Sequence, residues 1–307
     1  MKTKKYFAVI LGILAVSSCS QDESVSSMEE KSVPTVTRSG GYENYVFDDP
    51  EMAALNTEMA IYGSSLKGDS PQSLWGWIKR TVIVVADAAG AVVGWNTASV
   101  PGAVTTAITA SMETKRLLDS LEVWVNVVPV GNVSPINDSI TALSGLIMVP
   151  FGATPITCDS AGWYHNRSLY LFHTQPKSGP VTDNQHLLAC AATATGWNHQ
   201  TGANTYLNYG YGVAYLASQS TSLDDYMNKL MTYYPAYNDY WKVLGTYIEE
   251  VSELSGLMVA TYTNTFLRSI ETNISNINKR NRLKAVINTA YSSNKLWADN
   301  TGGTVSM

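Results

Sequence analysis

The sequence predicts a mainly α-helical bundle with a short β or irregular insertion. Three observations carry this. After Pro235, apolar residues recur at Tyr237, Tyr240, Leu244, Tyr247, Val251, Leu254, Met258 and Tyr262, in steps of three and four that put one buried stripe on a long amphipathic helix. Asp48-Asp49-Pro50-Glu51 joins acidic caps, a proline near the first helical position and an acid in the first turn, which is a helix-start signature. Period-two alternation is confined to Val123, Val125 and Val127, closed by Pro129 and Gly131, with Gly145–Val149 a second candidate. Strands are therefore expected only near 122–150.

The N-terminus carries an address. Lys2, Lys4 and Lys5 precede an apolar run, Tyr6–Val16, which falls short of the about 20 residues that span a bilayer and suits a secretory h-region. Ser17 and Ser18 then lead into Cys19. The arrangement resembles the lipobox of bacterial lipoproteins, although serine before the cysteine departs from the usual glycine or alanine. The resemblance implies removal of 1–18 as a signal peptide, lipidation of Cys19 and a membrane partner held through that lipid. Each buried CH₂ contributes about 0.8 kcal/mol, so several acyl chains on one cysteine would anchor the protein stably. Ser20-Gln21-Asp22-Glu23 resembles the acidic export signal of Bacteroidota-type lipoproteins. It implies an outer-membrane, surface-exposed location in the cell envelope. Residues 19–45 are polar and without apolar period, so they read as a flexible tether, and 46–300 as the helical domain.

Composition narrows the partners. Formal charge is −5, the three lysines of the leader make the remainder more acidic still, and no long basic run occurs. Nucleic acid is thereby excluded. Charged residues are only 15% of the chain while Tyr reaches 18 and Trp 8, so polar-tipped aromatics must cover surface, fill a helical core, or both. With Cys19 lipidated, Cys158 and Cys190 remain as a pair. In an oxidising compartment they can close one disulfide or stay as two buried thiols.

Taken in order, Met52, Leu55, Met59 and Tyr62 follow the first helix start at helical spacing, and Gly63 is expected to end that helix. A second helix is expected from near Ser70-Pro71 through Leu74, Trp75, Ile78 and Val82 to Gly94-Trp95. Thr81–Trp95 is apolar but for Asp87, Gly90 and Gly94 stand four apart, and Gly102–Ala110 is again small and apolar. That pattern fits a close-packed buried helix pair. It also fits a membrane-active hairpin over 81–110. Asp159–Asn166 opens one further helix, Thr182–His186 another, and the segment from Leu283 through Tyr291 lies on the last.

All four histidines fall between 165 and 199. No H-x-x-x-H, H-E-x-x-H or C-x-x-C spacing occurs, so no metal or cofactor is expected. A metal site would need His165 and Asp159 brought by folding to His186 or His199. The catalytic candidates are Asp159, His165 and His186, as a hydrolase site; neither Cys158 nor Cys190 stands in a nucleophile motif. Asp119-Ser120-Leu121, Asp138-Ser139-Ile140 and Asp159-Ser160-Ala161 resemble a short O-glycosylation acceptor pattern, which needs an exposed loop.

Trp75-Gly76-Trp77, Asp87–Gly94 and Gly162-Trp163-Tyr164-His165-Asn166 together resemble uncharacterised exported Bacteroidota-type lipoproteins. The resemblance implies no activity. It suggests that Asp87, Gly90, Gly94, His165 and Asn166 form a structural or binding core. A buried Asp87 needs a polar partner, and His165 or Asn166 can supply it. The expected function is non-catalytic: an envelope lipoprotein whose Tyr/Trp-rich face meets a glycan, a peptide or a protein ligand.

Overall fold

Asp49 starts the first helix by accepting the Glu51 and Met52 amides on Oδ1 at 2.9 and 3.2 Å, with Pro50 at the first helical position, which satisfies amides that have no intrahelical partner. The computed structural model describes residues 45–67, 74–120, 157–199, 202–254 and 256–298, with side chains described for all but 74–80, 119–120 and 298. All of these fall within one compact unit, Gly41–Met307. The leader, the tether up to residue 44 and the expected insertion at 122–150 lie outside the described residues.

Among the described residues the fold is a mainly α helical bundle with no strand. The helices are α1 (Pro50–Leu66), α2 (Leu74–Ser120), α3 (Ala161–Thr174), α4 (Asp183–Thr195), α5 (Ala203–Ser218), α6 (Leu223–Tyr233), α7 (Asn238–Ser252), α8 (Gly256–Asn273) and α9 (Ile277–Ala298). A 3₁₀ turn, Cys158–Ser160, leads into α3, and another, Pro235–Tyr237, leads into α7.

The centre of the bundle is α2. Non-helical Ala98 and Ser99 break it into two arms that fold back on each other as a hairpin. A Cβ on Gly90 would come within 2.8 Å of the Ala107 backbone, one on Gly94 would overlap the Gly102 carbonyl oxygen, and one on Gly102 the Gly94 oxygen. The glycine spacing thus allows backbone-to-backbone packing that no larger residue permits. Residues from Ile83 to Val93 and from Ala103 to Ala110 are almost entirely inaccessible. Around the hairpin pack α5, α9, α3, α4 and α7. The segment that suits membrane insertion by composition is therefore the interior of this domain. Among the described residues, α2 supplies one stretch, Thr81–Leu118, long and apolar enough to cross a membrane, and 78% of its apolar window is buried.

Two sequence expectations are corrected here. Gly63 does not end α1, which continues to Leu66. Gly63 lies inside because the Glu250 carboxyl occupies the space of its missing side chain. The single long helix expected over 237–262 is two helices. Its stripe of steps of three and four passes through the turn after Ser252, where Glu253 and Leu254 leave the helix and Gly256 begins the next. A spacing of three from Val251 to Leu254 and four to Met258 holds on either side of the break.

The first helix, α1, runs alongside both of these. Asp49 N donates to Asp239 Oδ2 at 2.9 Å at the start of α7, and Glu250 meets Gly63 at its other end, so α1 and α7 are parallel. Ser269 Oγ donates to Glu58 at 2.8 Å and Tyr262 OH to the Met59 carbonyl at 3.3 Å, so α8 is antiparallel. Tyr62, Tyr262 and Tyr247 stack through this layer at centroid distances of 6.1 and 6.0 Å.

Candidate functional site

Asp87, on the first arm of α2, is wholly buried. Its Oδ2 accepts from Ser293 Oγ at 2.6 Å, Ser111 Oγ at 3.1 Å and Trp297 Nε1 at 3.5 Å. His165 Nε2 of α3 lies 3.3 Å from the same oxygen, at ion-pair distance but out of line for a hydrogen bond. The opposite ring nitrogen is also engaged. Asn166 Nδ2 donates to the Ser292 carbonyl at 2.8 Å, which turns Asn166 Oδ1 toward His165 Nδ1, 2.8 Å away. That oxygen can only accept, so Nδ1 carries a hydrogen. A buried carboxylate needs such partners because an uncompensated charge in the interior costs several kcal/mol.

Backbone proximity makes the contact. A Cβ on Gly162 would overlap the Asn288 carbonyl of α9, so α3 and α9 touch main chain to main chain one turn from His165. Asp87, His165 and Asn166 are thus brought together, and Gly90 and Gly94 hold the α2 arm that carries Asp87.

The catalytic candidates are not brought together. His165 faces Asp87. Asp159 Oδ1 forms an ion pair with Lys284 Nζ at 2.7 Å, and Lys284 also pairs with Glu271. His186 Nε2 lies 3.2 Å from the Phe172 carbonyl and packs beside the Phe172 ring at 5.1 Å. Each residue serves a different helix contact. Among the described residues no group of three or more His, Cys, Asp and Glu is arranged to hold a metal ion. Of the two states open to Cys158 and Cys190, the disulfide is absent and both are free, buried thiols. Cys158 Sγ approaches Asn281 at 3.6 Å, and Cys190 lies 3.8 Å from His186 Nε2. Burial pushes the Cys158 thiol up to about 11 and raises Cys190 as well, which keeps both protonated and unreactive. Ser160 is buried and bonded to Thr157, so the acceptor pattern at Asp159-Ser160-Ala161 is not in an exposed loop. The other two patterns reach beyond the described side chains.

His199, which the sequence offered only as a metal ligand, is a second buried polar centre. It lies between Thr105 Oγ1 of α2 and Thr195 Oγ1 of α4, the latter 2.6 Å away. Burial lowers its pKa to about 4, so the ring is neutral near pH 7.

A third cluster, which the sequence did not locate, surrounds the tip of the α2 hairpin. Asn96, Thr97 and Ser99 are exposed there. Ser99 has φ 52°, a left-handed conformation that costs a non-glycine residue about 1 kcal/mol or more. Asn96 Nδ2 donates to Tyr237 OH at 2.7 Å and its oxygen accepts from Arg282. The Arg282 guanidinium stands 5.5 and 5.0 Å from the Tyr237 and Tyr240 ring centroids, the geometry of a cation–π contact. Tyr237 also meets Trp241 edge-on at 5.9 Å. Tyr234 is pushed up to about 12, chiefly by burial and then by the nearby phenols of Tyr209 and Tyr237. Tyr209, Tyr234, Tyr237, Tyr240 and Arg282 are all half-buried, so each keeps an accessible edge on a body fixed by packing. Four elements distant in sequence meet here, and no local spacing signals it.

The fold and these centres define a mainly α-helical domain in which buried ionisable groups join helices to one another. No family model matches the chain, and neither a curated protein nor a solved structure does.

Proposed function

We propose that this protein is an envelope lipoprotein, held to the outer membrane through Cys19, whose helical domain binds a partner rather than catalysing a reaction. The contact face is the hairpin tip: Asn96, Tyr209, Tyr237, Tyr240 and Arg282. The observation that supports this reading is the half-buried tyrosine cluster around Arg282 beside the strained Ser99. Tyrosine presents broad amphipathic area at low entropic cost, and arginine stacked on its rings adds oriented donors. Such a surface suits a glycan or peptide that offers an apolar face and hydroxyl or carbonyl acceptors. Asp159, His165 and His186 each serve a separate structural contact, which argues against the hydrolase alternative. Burial of 81–110 argues likewise against membrane activity.

The test is binding of the full chain to glycan and peptide arrays, wild type beside Tyr240→Ala and Arg282→Ala. Binding that falls at least tenfold in both variants supports the assignment. Binding that is unchanged in both, with folding intact by circular dichroism, overturns it.

A further inference from the structure

The Glu250 carboxyl sits in a place made for it. It is 5% exposed and fills the space of the absent Gly63 side chain on α1. One oxygen, Oε1, accepts from Lys67 Nζ at 3.2 Å just past the end of α1. The other, Oε2, lies 3.2 Å from the same ammonium but is buried with no hydrogen bond. Lys67 is shared with Glu253, 2.9 Å away. The groups facing Glu250 are therefore Lys67 just after α1, Glu249 from its own helix α7, Glu253 just after α7, and the Tyr262 phenol from α8. One shared cation meets two carboxylates, Glu250 and Glu253, while Glu249 adds a further negative charge nearby.

We propose that the Glu250–Gly63–Lys67 contact is a proton-operated latch on α1, closed while the carboxyl is protonated and loosened when it ionises. The physical cause is desolvation. A carboxylate in this niche loses water on Oε2 and gains only a divided, partly exposed ammonium, whereas the neutral acid loses little. Burial accordingly pushes Glu250 up to about 7, with Lys67 opposing. When α1 lifts away the carboxyl returns to water and its ordinary value. Opening therefore releases a proton across the interval from about 4.5 to 7, and docking weakens as pH rises through that interval. The latch acts on the first helix of the described chain. Its N-terminal end is separately tied to α7, where Asp239 accepts the Asp48 and Asp49 amides and Lys242 donates to the Val46 carbonyl at 2.5 Å. Loosening starts from the Lys67 end.

Native-state hydrogen exchange of the full chain at pH 6 and pH 8, corrected for intrinsic exchange, tests the latch. Linkage from 4.5 to about 7 predicts that protection of the C-terminal amides of α1 falls about tenfold between these pH values, while Glu250→Gln removes the dependence. Protection that is pH-independent in the wild type, or that falls equally in Glu250→Gln, overturns the proposal. The Glu250 carboxyl carbon resonance in the unmodified protein gives a reading that needs no variant. A midpoint near 7 supports the latch, and one below 5 overturns it.

Discussion

His165 Nε2 lies 3.3 Å from Asp87 Oδ2, with both side chains wholly buried. The pair joins the first arm of α2 to α3, and Ser293 and Trp297 tie α9 to the same oxygen. Truncating one member of a buried pair leaves the other charge or dipole uncompensated. Asp87→Ala should cost about 3–5 kcal/mol, read as a lowered midpoint in urea unfolding. An unchanged midpoint would show that the carboxylate is not needed by its neighbours.

The hairpin glycines give a steric prediction. Gly94→Ala or Gly102→Ala places a methyl on a backbone oxygen of the facing arm, and neither backbone can yield without moving the arm. A loss of about 3 kcal/mol is expected, at the upper end of ordinary overpacking. Gly256→Ala, where nothing lies within 4 Å, should leave the thermal midpoint almost unchanged. Equal effects at the three positions would deny the close approach.

Two buried groups oppose each other in pH dependence. His199 is lowered from 6.5 to about 4, so the unfolded state binds the extra proton. Its stabilisation is present above pH 6.5 and is lost as pH falls toward 4. Glu250 is raised from 4.5 to about 7, so its stabilisation is present below 4.5 and is lost as pH rises through 7. Each is worth at most about 3 kcal/mol, and between pH 4.5 and 6.5 they largely cancel. Glu250→Gln should therefore make stability rise with pH over this window, and His199→Gln should make it fall. Chemical denaturation at pH 4.5, 5.5 and 6.5 gives both slopes.

Ser99 offers a gain. At φ 52° glycine carries no Cβ penalty, so Ser99→Gly should raise stability by about 1 kcal/mol, seen as a higher thermal midpoint. If the strained tip is part of the binding face, the same variant should weaken the array binding of the wild type.

The pattern of apolar residues made most helices legible, because a buried stripe needs three- and four-residue spacing whatever it packs against. Boundaries were less so. Gly63 looks like a stop in isolation, yet it sits inside α1 to admit Glu250, a residue far away in sequence. The stripe from Tyr237 to Tyr262 keeps its period across the turn between α7 and α8, so periodicity could not reveal the break. At the buried centre, the cost of burying Asp87 called for a polar partner, and His165 lies against it while Asn166 orients His165. The tip cluster left no trace in the sequence. Asn96, Tyr209, Tyr237 and Arg282 share no local spacing, and only the return of the α2 hairpin and the packing of α9 bring them together.

Asp87 and His165 are in direct contact in the buried centre of this domain. A double-mutant cycle measures that coupling directly, with Asp87→Ala, His165→Ala and the double variant compared by urea unfolding. The double variant is expected to be more stable than the sum of the single losses implies, by about 1–3 kcal/mol. Losses that add to within about 0.5 kcal/mol would show that the two side chains do not depend on each other, and would contradict that expectation.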